Sequence, residues 1–206
     1  MLILVEHPLC AVDLTVVRDQ GSDHTAFRAA MQRIGLHVCL QATRHLPVEP
    51  VAVETPLEQT TGYRLYHRIV AVPILRAGLL FLDPMLQVVP TAYVGFIGLR
   101  RQEDTLQVEH YYWRMPPLDE RTAVVVLDPM LATGGSATAA LLQLMQAGAQ
   151  EITIACAIAA PEGVERIATM FPAVRIVAAA LDRQLNAHGF IVPGLGDAGD
   201  RAFGTE

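Results

Sequence analysis

Charge is scarce in this 206-residue chain: Asp, Glu, Lys and Arg together make up 17%, against 52% apolar residues. That balance excludes a disordered chain and predicts a well-filled interior. Basic residues are the minority. Fifteen Lys plus Arg against twenty-one Asp plus Glu leave a net charge of −6, which lacks the overall cationic footprint of a nucleic-acid binder. Cysteine is also sparse. Cys10, Cys39 and Cys156 lie far apart, with no CxxC pair and no zinc spacing, so unpaired thiols in a reducing compartment are the simpler reading. No uncharged apolar run reaches the roughly 18–20 residues that span a bilayer. The opening MLILVEHPLC has no basic leader and meets Glu6 and His7 after five apolar residues, so it does not read as a signal peptide. These absences predict a cytoplasmic protein without membrane or nucleic-acid partners. At this length one domain is expected, 1–206. A large interface between copies would account for the apolar surplus.

What is present is a regular alternation in the second two thirds. Phe27, Ala30, Met31, Ile34 and Val38 recur at helical steps and predict a helix over Thr25–Leu40. Residues Leu46–Tyr66, broken by Pro47, Pro50, Pro56 and Gly62, predict short strands and loops. From residue 68 onward, strands are expected at Ile69–Ile74, Thr91–Ile97, Ala123–Leu127, Ile152–Ile158 and Val174–Ala180. Between them, helices are expected at Leu79–Val88, Ala137–Ala147, with Gly148 as its stop, and Pro161–Met170. Strands apolar throughout, separated by helices, imply an α/β protein with a parallel sheet covered on both faces. The last stretch, from Gly189, has no periodicity but is dense in Gly, Asp and Pro, as expected of a segment folded tightly around something.

The most informative segment is AVVVLDPMLATGGSATAALL, Ala123–Leu142. A buried strand ends at Asp128, and a helix begins near Ser136 after a short loop. In open parallel sheets, ligands bind beyond the carboxyl ends of the strands. At the helix start, backbone N–H groups lack intrahelical partners and carry the positive end of the dipole. Gly134 and Gly135 let the backbone approach an anion, and Thr133 and Ser136 supply hydroxyls. Asp128 could accept hydrogen bonds from ribose hydroxyls while the loop holds a phosphate of the same sugar. Neither GxxxxGK[ST] nor GxGxxG is present. An isolated TGGS serves equally as an ordinary connector with Thr133 or Ser136 as N-cap.

Two further segments carry chemistry. VPILRAGLL, Val72–Leu80, places a small-residue turn at a strand end with Arg76 as its one charge. A guanidinium there suits two phosphate oxygens, or it is a solvated loop arginine. GLRRQEDTLQVEHYYWRMPP, Gly98–Pro117, is a long charged connection carrying the aromatic cluster Tyr111, Tyr112 and Trp113, suited to stacking or to packing. Seven histidines form no HxxxH or HExxH pair. His188, beside the tail, is the one placed to reach a ligand, and a structural role stays open for it. Glu103 and Asp104 read as solvated or counter-charge.

DPMLATGGSA resembles the phosphoribosyl pyrophosphate (PRPP) loop of type I phosphoribosyltransferases, in the form found in uracil phosphoribosyltransferases, where Pro129 replaces a second acid. VPILRAGLL resembles that family's pyrophosphate loop, and LNAHGFIVPGLGDAGDRAFGT, Leu185–Thr205, its uracil-recognition motif. The resemblance extends from about His7 to Thr205 and is strongest after residue 69. It implies a type I phosphoribosyltransferase fold: a twisted, mostly parallel sheet of about five strands flanked by helices, core about 68–182. A small hood would come from about 1–67 and 183–206. It also implies formation of UMP from uracil and PRPP, a pyrimidine-salvage reaction. PRPP would meet Arg76, Arg101, Asp128, Pro129, Met130, Leu131, Ala132, Thr133, Gly134, Gly135, Ser136 and Asp197, with Arg76, Arg101 and Asp128 as the catalytic set. Uracil, whose edge backbone groups can read, would meet Ile191, Gly196, Asp197 and Ala198. Mg²⁺ would ride on PRPP rather than in a protein cage. GTP is the candidate allosteric activator, and a homodimer or higher homo-oligomer the expected assembly; nothing in the chain decides either. The rival readings are a nucleotide- and RNA-binding regulator on the same fold and a transferase for purines or orotate.

Overall fold

The computed structural model describes residues 1–101 and 108–205, without the side chains of Arg101 and Val108. The chain opens with β1 (Leu2–Leu4), α1 (Pro8–Arg18) and α2 (His24–Thr43). A hairpin follows, β2 (Val48–Glu54) and β3 (Gln59–Leu65), then β4 (Arg68–Leu75) and α3 (Leu79–Val88). Next come β5 (Tyr93–Val94), β6 (Phe96–Arg101), β7 (Val108–Arg114), β8 (Thr122–Leu127) and β9 (Met130–Leu131). The last third holds α4 (Gly135–Gln146), β10 (Glu151–Ala159), α5 (Pro161–Met170), β11 (Arg175–Leu181), β12 (Gln184–Leu185), β13 (Ile191–Val192) and α6 (Ala198–Phe203).

The main sheet runs β1-β11-β10-β8-β4-β6-β7, with β5 beside β4 and β9 beside β10. All its pairings are parallel except β6 with β7. Side chains alternate across a strand, and here the alternation feeds two cores. Ile69, Ala71, Ala123, Val125 and Leu127 join the residues of α1, α2 and α3 on one face. Val70, Val72, Ile74, Val124 and Val126 join α4 and α5 on the other. No helix among the described residues is long and apolar enough to cross a membrane.

The helices expected at Leu79–Val88 and Pro161–Met170 are present with those bounds. The helix expected over Thr25–Leu40 runs from His24 to Thr43, and Asp23 caps it by accepting from the N–H groups of Thr25 and Ala26 at 2.9 and 2.8 Å. Three expectations need correction. The strand expected over Thr91–Ile97 is two, parted at Gly95, whose N–H turns to the carbonyl of Ala71 at 2.9 Å. Among the described residues the sheet has nine strands rather than about five; the additions include β1, β9 and β5, each two or three residues long and too short to show a period. The charged connection after Gly98 is not a loop throughout, because residues from Val108 pair antiparallel with β6, Ile97 opposite Trp113. Glu103 and Asp104 lie outside the described residues.

The N-terminal helices grip the C-terminal segment. Arg18 makes a two-pronged pair with the buried Asp182, 2.9 and 2.5 Å, and also donates to the carbonyl of Gly194 at 3.0 Å. Asp182 in turn accepts from the Gly194 N–H at 2.9 Å. Arg201 donates to the carbonyls of Val17, Leu195 and Asp19 and lies over the ring of Phe27. The tail is therefore folded and fastened, not frayed.

Candidate active site

At the carboxyl ends of β4 and β8 a cleft of about 500 Å³ opens. Four stretches wall it: the β4–α3 turn, the β8–α4 loop, the facing parts of β6 and β7, and the C-terminal segment.

The β8–α4 loop forms the floor. β8 is buried at all six positions, so its chain emerges from the core at Asp128, which is half-buried and lines the cleft. Met130 to Ser136 line it in succession. Gly134, at φ +73°, sits in the left-handed region where a side chain is strained. That reversal presents the first turn of α4 to the cleft. No side chain caps this helix at Gly134, and Thr133 Oγ1 accepts a long bond, 3.3 Å, from the Gly135 N–H. Helix-start amides facing an open cleft, under the positive end of the helix dipole, attract an anion. Pro129 is apart from them. It is buried, and its carbonyl accepts from Ala157 and Ile158 at 2.9 and 3.1 Å, bracing the loop against β10.

The second wall carries Arg76. Gly78 behind it has no room for a side chain, since a Cβ there would meet the Leu127 carbonyl oxygen at 2.4 Å. This close approach brings the β4 turn against the end of β8. The Leu75–Arg76 peptide is cis. Arg76 donates from Nη1 to Thr205 Oγ1 at 2.8 Å and from Nη2 to Asp200 Oδ1 at 2.9 Å, with its side chain half exposed. Bonds from Thr205 and Arg76 hold the Asp200 carboxyl below its ordinary range. Leu80 and Phe81, bulky residues on the next turn, point away from the cleft into the core.

Ile191, Gly196, Asp197 and Ala198 all line the C-terminal wall. Ile191 and Ala198 are buried, while Asp197 is exposed and caps α6 by accepting from the Asp200 N–H at 3.0 Å. His188 lines the cleft as well. Arg100, on the fourth wall, is exposed and paired with Glu109 at 2.8 Å. Arg101 ends β6, and the expectation placed on its side chain falls outside what is described.

The sequence reading missed four residues here. Phe190, half exposed, presents a ring to the cleft. Gly199 lines it close to the Arg76 guanidinium. Asp200 and Thr205, both within Leu185–Thr205, stand behind the cleft as partners of Arg76. Of the aromatic cluster, Tyr111 reaches the cleft and lies over Gly98, where a Cβ would be 2.5 Å from its ring.

Among the described residues no cluster of three or more His, Cys, Asp or Glu could hold a metal ion. At the end of β8 the half-buried Asp128 stands beside the buried Pro129, where no second carboxylate joins it.

The family described as Uracil phosphoribosyltransferase matches residues 4–205. A protein of Fervidobacterium nodosum named uracil phosphoribosyltransferase is 46% identical over 207 residues, covering 100% of both chains. Among solved structures, the AQ2163 protein from Aquifex aeolicus superposes with a TM-score of 0.94 at 40% identity, covering 100% of this chain and 99% of its own. A purine phosphoribosyltransferase from Pyrococcus horikoshii superposes at 0.50 with 15% identity, over 72% of this chain and 82% of its own, a likeness of fold alone.

Proposed function

This chain belongs to the uracil phosphoribosyltransferase family and joins uracil to the ribose 5-phosphate of PRPP, releasing pyrophosphate and leaving UMP; we propose how its cleft divides that work. The 5-phosphate takes the amides and hydroxyls of residues 132–136, and Asp128 accepts from the ribose hydroxyls. Arg76 takes the pyrophosphate, Arg101 is assigned to the same group, and Asp197 serves PRPP. Ile191, Gly196 and Ala198 present main chain to the edge of uracil. The observation that carries this division is that an uncapped helix start, the Arg76 turn and the C-terminal wall share one cleft.

The reaction breaks the C1–pyrophosphate bond and forms a bond from C1 to N1 of uracil, as positive charge builds on the sugar. Among the described residues of the cleft none stands out as a base for N1; the N1 proton passes to an oxygen of the departing pyrophosphate or to water, and positioning and charge stabilisation carry the rate. The leaving pyrophosphate gains negative charge, and the guanidiniums meet it there. Mg²⁺ would be carried on the phosphates of PRPP, where it would neutralise part of their charge.

The proposed setting draws on further observations. Three free, buried cysteines fit a reducing cytoplasm. The β2–β3 hairpin exposes Val48, Val53, Leu57, Tyr63 and Tyr66, Leu57 at 94%; these apolar groups support association with further copies of the chain. GTP enters the assay as the candidate activator.

The test is product formation from PRPP and Mg²⁺ with uracil, hypoxanthine, adenine or orotate offered singly, with and without GTP. UMP from uracil alone is the expected outcome. A product from a purine or orotate in place of UMP would overturn the assignment of the C-terminal wall. An RNA titration showing tight binding without turnover would favour the regulator.

A further inference from the structure

Arg76 reaches into an open cleft on a long, half-exposed side chain, a group that in water samples many rotamers. It is nevertheless held at two points. Nη1 donates to Thr205 Oγ1 at 2.8 Å and Nη2 to Asp200 Oδ1 at 2.9 Å, and Thr205 Oγ1 donates its own hydrogen to the same Asp200 oxygen at 2.6 Å. The three groups close a ring. A guanidinium is planar and carries five N–H donors. Two anchored donors fix its plane and leave three N–H groups for a ligand.

We infer that Asp200 and Thr205 are positioning residues, which hold the Arg76 guanidinium oriented for the pyrophosphate of PRPP. The inference rests on the proposed pairing of Arg76 with pyrophosphate. It goes beyond that pairing in naming what aims the arginine and where the aiming force comes from. Both anchors stand on the C-terminal segment, 124 and 129 residues away in sequence. Asp200 belongs to the helix that Asp197 caps and whose first residue, Ala198, lines the cleft. The wall assigned to uracil and the cation assigned to the leaving group are therefore fastened to each other. A cleft whose C-terminal segment is seated has its arginine aimed; one whose segment is displaced does not.

The Asp200 carboxylate also subtracts charge from Arg76, which opposes pyrophosphate binding. Orientation wins here because Asp200 occupies one edge of the guanidinium and leaves the others open, and because an unanchored arginine must be ordered by the ligand itself.

The test measures pyrophosphate and UMP binding to the full-length protein by titration calorimetry in Mg²⁺. UMP carries the phosphate, ribose and base but no pyrophosphate, so it reports whether the cleft is intact. Asp200→Ala should weaken pyrophosphate about tenfold and UMP less than about twofold, whereas Asp200→Asn, which keeps an acceptor oxygen, should recover most of the loss. Thr205→Val removes one anchor at the end of the chain and should cost about threefold. In an Arg76→Ala background, Asp200→Ala should change nothing further. Unchanged or tighter pyrophosphate binding in Asp200→Ala, with Arg76→Ala impaired, overturns the inference alone. Unchanged binding in Arg76→Ala overturns the pairing of Arg76 with pyrophosphate and the inference with it. A parallel loss of UMP in both Asp200→Ala and Thr205→Val overturns positioning in favour of a purely structural role.

Discussion

Gly163, in the first turn of α5, stands so close to Ala132 that a Cβ placed on it would lie 2.3 Å from the Ala132 carbonyl oxygen. The loop assigned to the sugar phosphate is thus backed by a helix with no slack between them. Alanine would improve helix propensity by about 1 kcal/mol, but overpacking against backbone costs about 1–3 kcal/mol and pushes the loop toward the cleft. Gly163→Ala should lower UMP affinity about tenfold with little change in pyrophosphate affinity. Unaltered UMP binding by calorimetry would remove the loop's backing from the account of the site.

The tail offers a second test. Asp182 is 7% exposed and joins Arg18 to the Gly194 N–H, between Ile191 and Gly196 of the residues assigned to uracil. Asp182→Ala would leave Arg18 half-buried without its partner. Removing one member of a buried pair costs about 3–5 kcal/mol, less here because the Arg18 side chain is 26% exposed, so about 2–3 kcal/mol is expected. The KM for uracil should rise more than the KM for PRPP. Urea denaturation and a two-substrate kinetic matrix check both statements.

How much of this was legible follows from the kind of signal each residue leaves. β4, β8 and β10 are buried over nearly their whole length, so each reads as a mostly apolar run, broken in β10 by Thr153. A helix start near Ser136, one residue from Gly135 where α4 begins, was legible because Asp128, Thr133 and two glycines crowd a short span. Helix α1 was not, for its inward positions Cys10, Asp13 and Val17 include a carboxylate, which Arg33 on α2 pairs at 2.6–2.9 Å. Asp200 and Thr205 read as members of a polar tail, since their partner Arg76 is more than a hundred residues away. Phe190 gave no signal of its own, because a lone aromatic beside a turn is as often packing as site.

The thiols yield a prediction in pH. Burial, and for Cys10 the neighbouring Asp13, push Cys10 up to about 11, and burial pushes Cys39 up to about 12. A thiol raised in the folded state keeps its proton after the unfolded chain has lost it. Its contribution is therefore complete below the ordinary thiol pKa of about 8.5 and is lost as pH rises through the folded values. Between about pH 9 and 11 each thiol should make stability fall by up to about 1.4 kcal/mol per pH unit. Urea midpoints of the wild type and Cys39→Ala at pH 8 and pH 10 should show a shallower decline in the variant. At pH 8 the native protein should react with a disulfide reagent only after denaturation.

The bulk of Phe81, on the first turn after the Arg76 loop, is accommodated by an absence on the facing helix. A Cβ on Gly35 of α2 would lie 2.9 Å from Cγ of Pro84 and 3.0 Å from Cδ1 of Phe81. Neither neighbour can yield cheaply: one is a ring inside α3, and the other is wholly buried. Gly35→Ala therefore sets a gain in helix propensity of about 1 kcal/mol against overpacking of about 1–3 kcal/mol. Because both contacts are stiff, overpacking should prevail, and a net loss of about 1 kcal/mol is expected in urea denaturation. The pair also admits a compensating change. Phe81→Leu alone should cost about 1–2 kcal/mol through lost packing, while the double variant should cost less than the sum of the two singles. Strict additivity in that cycle would mean that the two helices adjust independently, and that the close crossing does not set how α3 presents the arginine turn.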